Sequence, residues 1–351
     1  GSAGALESYA VVNSWASLPT GFTNNSLNFA FGSDVSDHTI TVSTNGSNPY
    51  PYLSGNGMRG FLVGLGHSVD LNLVAATGYS GNYFAPIGAM YPGSMVRDLY
   101  LTTNVAGNGG SNNGYTAGLV SFMRAGVVKN VHVTGTVKGE QYQTGGLIGL
   151  IQSREGEVVV RDSSFNGAVE GVTDPDRGQN AGLIGSITSY SGNSVSIINN
   201  TVQGSVRGST RVGGFTTAVS ESSGTISIQD NVIEASLNGT NDSNIAGFTY
   251  WLDVADRSSI LNNTWDVGKS GGYRKACITC NGFTQDLGEA GVFEGINIST
   301  PIYLRLIEGS SPYGESPTLS YGLYDARTNG SLIADANPSG TVVWSGSVPT
   351  A

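Results

Sequence analysis

Carboxylates that could carry out acid–base chemistry are concentrated in three short segments of the chain. Their aspartate pairs are Asp34 with Asp37, Asp174 with Asp176, and Asp253 with Asp256. Glycoside hydrolysis requires two carboxyl groups facing each other across about 5 to 9.5 Å. An arginine directly follows the second and third pairs, so each is interpreted either as a solvated turn that neutralises its own charge or as a glycan contact. We keep the four aspartates of those two pairs as candidate ligand-binding residues and predict no catalytic residue.

Histidine and cysteine are scarce, which limits metal and nucleophilic chemistry. The histidines are His38, His67 and His132. A Ser-His-Asp triad is recognised by geometry, and a serine-rich chain offers many accidental matches. Cys277 and Cys280 are the only cysteines, and a zinc site would need two more ligands at suitable spacing. We therefore predict no metal and no cofactor.

Exposed aromatic side chains are the best binding candidates, because sugar rings and protein partners stack on their faces. The candidates at turns or insertions are Tyr142, Tyr190, Tyr250 and Trp251. Further aromatic residues at such positions are Tyr50, Tyr52, Tyr79, Tyr83 and Phe84. The alternative for each is packing under a loop or at an end of the fold. Trp265 lies on a repeated strand and is predicted to be core.

The composition indicates which elements must position these residues. The chain has 351 residues, of which 52 are glycine and 12% are charged, and its net charge is −10. The lack of long glycine-free runs excludes helix bundles and coiled coils. No apolar run approaches 18 residues, so no membrane span is expected, and no basic stripe suggests a nucleic-acid partner. A β-rich protein with many turns remains.

A short apolar motif recurs along the chain and defines the predicted fold. Its second glycines are Gly118, Gly146, Gly182, Gly214 and Gly247, spaced 28, 36, 32 and 33 residues apart. Such strand-turn units cannot bury their apolar faces alone, whereas stacked coils share one core. We predict an all-β, right-handed parallel β-solenoid over residues 60–298, preceded by a cap and first coils over residues 5–59. Residues 1–4 are interpreted as a cloning remnant, and a β-sandwich is the alternative fold.

One column of the repeat alternates between aspartate and asparagine. Its members are Asp98, Asn130, Asp162, Asn199, Asp230 and Asn262. Asx residues suit a tight solenoid corner because they tolerate unusual turn dihedrals, and the alternation keeps carboxylates of neighbouring coils apart. A line of calcium sites is the less favoured alternative, since such sites need several oxygens from one loop. The register is good to one residue, because Asn200, Asn231 or Asn263 could take the ladder position. We expect Asn199 and Asn262, which also begin glycosylation sequons, to be inaccessible.

The repeats resemble the GLUG motif of large bacterial surface exoproteins, a Gly-Gly-Leu-x-Gly strand followed by an Asn-containing strand that ends in Gly-x-Val. Residues 60–73, with the sequence GFLVGLGHSVDLNL, resemble the coil that opens such arrays, which makes His67 a turn residue. The matching stretches cover about residues 60–268.

The C-terminal segment, residues 299–351, has a different pattern. Residues 312–321, with the sequence PYGESPTLSY, are similar to the start of the small β-sandwich modules called MBG. The match is shorter than a whole module, which predicts that the chain stops inside one.

Together the two resemblances imply an adhesin of the filamentous-haemagglutinin, two-partner-secretion type. They imply a secreted or cell-surface protein that passes through an outer-membrane transporter partner, and we expect a monomer. In an exported protein, Cys277 and Cys280 are expected to form a local disulfide. The expected function is non-catalytic binding of a carbohydrate, or of a host, matrix or biofilm partner. A carbohydrate-active β-helix enzyme, a polysaccharide lyase or glycoside hydrolase, is the alternative.

Overall fold

The structure of the chain is a computed structural model. It describes residues 8–18, 28–42, 57–77, 79, 81–107, 114–139, 142–171, 178–190, 192–239, 244–254, 259–266, 277–280, 292–293, 296–299, 303–310 and 318–324. The chain divides into two compact units, Gly1–Ser299 and Thr300–Ala351. Each unit is described by itself.

The first unit is a parallel β-solenoid, which confirms the predicted fold class. Its coils run through three parallel sheets, here named A, B and C. The first five strands belong to sheet A and are β1 (Tyr9–Val12), β2 (Asn28–Phe31), β3 (Val35–Val42), β4 (Phe61–Val63) and β5 (Ser68–Ala75). A 3-10 turn at Trp15–Ser17 follows β1. The described part of residues 5–59 therefore contributes strands to the same sheet as the repeats.

Six coils then pass in turn through sheet C, sheet B and sheet A. The first two coils are β6 (Tyr83–Phe84), β7 (Ile87–Met90) and β8 (Met95–Ala106), and β9 (Tyr115–Ala117), β10 (Val120–Met123) and β11 (Gly126–Lys138). The third coil is β12 (Gln143–Gly145), β13 (Ile148–Ser153), β14 (Val158–Arg161) and β15 (Ser164–Glu170). The fourth is β16 (Gln179–Ala181), β17 (Ile184–Tyr190), β18 (Ser194–Ile198) and β19 (Thr201–Gly208).

The last two coils keep the same order of sheets. The fifth coil is β20 (Arg211–Gly213), β21 (Thr216–Ser222), β22 (Thr225–Gln229) and β23 (Val232–Gly239). The sixth is β24 (Ile245–Ala246), β25 (Thr249–Asp253), β26 (Ile260–Leu261) and β27 (Asn263–Asp266). Strand β28 (Cys277–Cys280) extends sheet B, and β29 (Val292–Phe293) and β30 (Ile296–Ser299) extend sheet A.

The core is a stack of apolar columns inside the coils. Between sheets C and B, the residue after the second glycine of each motif points inward, and all five are fully buried. They are Leu119, Leu147, Leu183, Phe215 and Phe248. The rings of Phe215 and Phe248 stack with centroids 5.1 Å apart, so a residue of one coil packs on its counterpart in the next. Trp265 is fully buried, as predicted.

The second glycine of each motif is required by close packing between coils. A Cβ on Gly182 would lie 2.2 Å from the carbonyl oxygen of Gly214, and a Cβ on Gly214 would lie 2.1 Å from that of Gly247. The same amides hold the coils together, since the Gly214 N–H donates to Ala246 at 2.9 Å. No larger residue fits this corner without moving the backbone.

The Asx column lies at a bend in sheet A. All six residues have left-handed backbone conformation, with φ between 52° and 56°. Asparagine and aspartate accept this conformation more readily than other non-glycine residues. The Asn130 side chain donates to the Asp98 carboxylate at 2.9 Å, and Asn199 donates to Asp162 at 2.8 Å. Within each of these two pairs the amide of one coil therefore satisfies a carboxylate of the coil before it.

The residue after each Asx position turns inward, so two ladders exist side by side. The inner column runs Leu99, Val131, Ser163, Asn200, Asn231 and Asn263, and every member is buried. The Asn231 amide donates to the Asn263 side chain at 2.8 Å and accepts from the Asn200 side chain at 3.0 Å. The Asx column itself faces outward, and the expectation that Asn199 and Asn262 are inaccessible was wrong, since both are exposed.

The second unit is described only for one antiparallel hairpin, formed by β31 (Tyr303–Ser310) and β32 (Thr318–Tyr324). The hairpin includes part of the MBG-like sequence. In the described parts of the chain, no helix is long and apolar enough to cross a membrane.

Candidate ligand-binding surface

The outer faces of sheets C and B meet in a cluster of aromatic rings that is separate from the core. Phe122 of β10 points outward, and its ring stacks on Tyr83 and Tyr115 of sheet C, with centroids 5.5 and 5.9 Å apart. Tyr83 and Tyr115 are paired in register and stack on each other at 5.8 Å. Phe122 is only 3% exposed because Ala89, Leu150 and the tyrosines surround it. The outer surface is therefore firmly packed at this point.

Arginine side chains extend this cluster toward the N-terminal coils. The Arg124 guanidinium carbon lies 5.3 Å from the centroid of Phe122 and 5.5 Å from that of Tyr91. The Arg59 guanidinium carbon also lies over the Tyr91 ring, 5.0 Å from its centroid. A 2.6 Å hydrogen bond to the Glu155 carboxylate raises the pKa of Arg124, which fixes its positive charge. Cation–π contacts of this kind contribute about 0.5 to 1 kcal/mol at exposed sites.

The predicted residues Tyr142 and Tyr190 lie in the middle of this surface. Burial first, and then the nearby Tyr142, raise the pKa of Tyr115, whereas Arg154 lowers it. The Arg154 guanidinium carbon lies 4.4 Å from the centroid of Tyr190. Tyr142 is 38% exposed. These side chains from three successive coils therefore form one group.

The predicted residues Tyr250 and Trp251 continue the surface on the sixth coil. Arg211 of sheet C lies 4.8 Å from the centroid of Tyr250. Trp251 is 39% exposed and is in register with Ala218 on the neighbouring coil. Asp253, also predicted, is half-buried two residues further along the same strand, so its side chain lies on the same face as that of Trp251.

We call this set the aromatic–arginine surface. Its members are Arg59, Tyr83, Tyr91, Tyr115, Phe122, Arg124, Tyr142, Arg154, Tyr190, Arg211, Tyr250 and Trp251. It crosses all six coils, which at about 4.8 Å per coil gives a length of about 24 Å. Gln143, on the sheet C column of Tyr115, is 7% exposed, and its Oε1 has no hydrogen-bond partner among the described residues.

Several predicted residues are not part of this surface. Tyr79 and Phe84 were wrong as binding candidates, because both are buried in the core and the Tyr79 hydroxyl donates to the Tyr83 carbonyl at 2.7 Å. The residues that lie outside the described ranges are Tyr50, Tyr52, Asp174, Asp176 and Asp256.

The histidines take part in local contacts on sheet A. His67 follows the turn of the lead coil, and its Nδ1 lies 3.2 Å from the Asp34 carboxylate. That carboxylate also accepts from the Ser68 N–H at 2.8 Å, which is the main reason for its lowered pKa. His132 lies between Ser164, 2.9 Å away, and Asn130, 3.1 Å away.

The Ser164, His132 and Asn130 contacts have the order of a hydrolase triad but lack its surroundings. Strand β15 is paired on both sides, so its backbone N–H groups are used in the sheet and none remains near Ser164 to stabilise an oxyanion. Asparagine also replaces the usual carboxylate. The arrangement is explained as a hydrogen-bond ladder on the outer face of sheet A.

Cys277 is buried and disulfide-bonded, and the Tyr250 carbonyl lies 4.0 Å from its sulfur. The Cys280 side chain lies outside the described set, so pairing between the two cysteines stays a prediction. Within the described ranges, no group of three or more histidine, cysteine, aspartate or glutamate residues is placed to hold a metal ion.

Sequence reasoning found five aromatic residues of this surface, Tyr83 among them, and missed its arginines and Tyr91, Tyr115 and Phe122. Two of the missed residues, Tyr115 and Arg211, could have been found from their position relative to the repeated motif. The residue two positions before the small residue that opens each motif lies on the outer column of sheet C. That column is Tyr115, Gln143, Gln179 and Arg211 in successive coils. Comparison with known proteins found no matching family model, no matching curated sequence and no matching solved structure.

Proposed function

We propose that this chain is a non-catalytic fragment of a bacterial surface adhesin that binds a carbohydrate through the aromatic–arginine surface. The resemblance of its repeats to GLUG exoproteins supports a surface adhesin, secreted with the help of a transporter partner. The observation that carries the binding function is the set of partly exposed rings on the third, fourth and sixth coils, namely Tyr142, Tyr190, Tyr250 and Trp251.

The chemistry of the surface suits sugar binding. Tyrosine and tryptophan offer flat apolar faces together with polar edges, and sugars have both apolar faces and hydroxyl groups. The Gln143 carbonyl oxygen adds a buried acceptor beside Tyr142. A rigid solenoid holds these contacts at fixed spacing, so several weak contacts act together on one polymer.

The experiment is a glycan array with the purified protein, followed by alanine changes at Tyr142, Tyr250 and Trp251. We expect each change to weaken binding by about tenfold, since an aromatic contact of this kind contributes on the order of 1 kcal/mol or more. Tyr100→Ala is the matched control, because Tyr100 is 50% exposed but lies on sheet A. A variant set that leaves binding unchanged, or hydrolysis of the bound glycan, would contradict the proposal.

A further inference from the structure

Three arginines of the aromatic–arginine surface have no carboxylate partner in the part of the chain that the structure describes. Arg59, Arg154 and Arg211 each lie over a tyrosine ring, at 5.0, 4.4 and 4.8 Å from its centroid. Among the described residues none of the three forms an ion pair. A guanidinium that stacks on a ring keeps its N–H groups available, so they can bind an anion.

Two arginines of sheet A are instead held by neighbouring carboxylates. Arg97 lies 2.6 Å from the Asp98 carboxylate, and Arg161 lies 3.9 Å from that of Asp162. Lys129 and Arg207, also on sheet A, form no ion pair among the described residues either. What distinguishes Arg59, Arg154 and Arg211 is therefore the tyrosine ring beside each guanidinium.

Glu155 and Asp253 are among the described carboxylates near the arginines of the surface. Glu155 is held by Arg124 at 2.6 Å, and Asp253 lies beyond Trp251 on the sixth coil. Between them, Arg154 and Arg211 lie on the third and fifth coils, about 10 Å apart along the axis by coil spacing. Arg154 and Arg211 are therefore two cations beside rings that lie close enough for one extended ligand to contact both.

We propose that the ligand of this surface is an acidic polysaccharide that lies along the solenoid axis. Its sugar faces contact the tyrosine and tryptophan rings, and its carboxylate or sulfate groups bind Arg154 and Arg211 through paired N–H donors. The rings, which lie on the first four coils and on the sixth, fit a polymer of repeating sugar units, whereas an acidic peptide has no use for several stacking platforms. This inference rests on the proposed function and names its class of ligand.

The test compares four probes by calorimetry at low salt: oligogalacturonate, its methyl ester, dextran sulfate and polyglutamate. We expect oligogalacturonate or dextran sulfate to bind more tightly than the neutral methyl ester, with affinity that falls as salt is raised. The double variant Arg154→Gln/Arg211→Gln should bind the acidic polymer at least about tenfold more weakly, because charge-assisted hydrogen bonds are lost. Arg207→Gln, an exposed arginine of β19 on sheet A, is the matched control and should bind normally. Circular dichroism and thermal unfolding would verify that each variant folds.

The outcomes separate this inference from the proposed function. Equal affinity for oligogalacturonate and its methyl ester, with no effect of the double variant, would overturn the inference and leave carbohydrate binding intact. Tighter binding of polyglutamate that depends on the same two arginines would overturn it in favour of an acidic protein partner. Failure to bind any carbohydrate, here and on the array, would overturn both.

Discussion

The Asx corner of sheet A and the aromatic–arginine surface are built on the same coils but treat polar groups in opposite ways. At the corner, the side chains of one coil satisfy those of the next, as in the Asn130 to Asp98 bond of 2.9 Å. On the aromatic–arginine surface, Arg154 and Arg211 lie over rings and have no carboxylate partner among the described residues. In the first arrangement the polar side chains bind one another. In the second, no described carboxylate binds the guanidinium N–H groups.

This difference distinguishes a structural polar column from a binding one. A buried amide without partners costs about 1 to 3 kcal/mol, so the corner must be internally satisfied to be stable. An exposed guanidinium without a carboxylate partner costs little stability, because water binds it. Its contact with a ring adds about 0.5 to 1 kcal/mol to the free energy of unfolding. Mutations at the two places should therefore have stability effects of very different size.

The largest expected loss of stability is in the inner column beside the Asx column, where Asn200, Asn231 and Asn263 bind one another. Asn231→Ala removes the acceptor of the Asn200 N–H at 2.9 Å and the donor to Asn263. Because these groups are buried, we expect the free energy of unfolding to fall by about 3 kcal/mol or more. Urea denaturation measures it, with the exposed Asn238→Ala of β23 as control. A loss below about 1 kcal/mol would mean that the ladder is not what stabilises the corner.

The second prediction concerns the outer Asx column, where an added negative charge should lower the stability of the fold. Asn199→Asp places a carboxylate beside Asp162, which now accepts from Asn199 at 2.8 Å. Repulsion across one coil spacing should lower stability by about 1 kcal/mol at neutral pH. The repulsion exists only while both groups carry a negative charge, so the deficit should disappear in acid, where carboxylates are neutral. Unfolding at several pH values, with Asn238→Asp as control, tests this, and a deficit independent of pH would exclude charge as the cause.

The smallest expected effect is on the aromatic–arginine surface. Arg154→Gln removes the contact at 4.4 Å from the Tyr190 centroid, and we expect a loss of stability of about 0.5 kcal/mol. The same denaturation experiment measures it. A loss comparable with that of Asn231→Ala would show that this arginine is structural, which would erase the distinction between the two regions.

Much of the solenoid was predictable because its constraints are local and repeated. A glycine column at the corner between sheets C and B and an Asx column at the bend of sheet A are both visible as spacing, since each coil meets the same steric demand. The register of the Asx column remained open by one residue. Asn199 and Asn200 are both amides, and only the backbone direction at the bend decides that the first points outward and the second inward.

The binding candidates were harder to predict, because facing outward on a solenoid is a property of whole sheets. Tyr79 and Tyr83 are four residues apart in the sequence and both lie near turns, yet the first is buried in the core and the second stacks on the outer surface. The arginines were not predicted as binding residues, because the rings that they contact come from other sheets or neighbouring coils. Arg211 and Tyr250, for example, are 39 residues apart in the sequence.

The sequence by itself determined that this chain is an all-β solenoid, since repeated apolar units must stack to bury their faces, and glycine and Asx columns record where stacked coils come close. The tertiary structure alone decided which side chains of neighbouring coils meet. Winding brings residues about 30 positions apart to about 4.8 Å from each other. That proximity, which no local pattern encodes, turns scattered tyrosines and arginines into one surface.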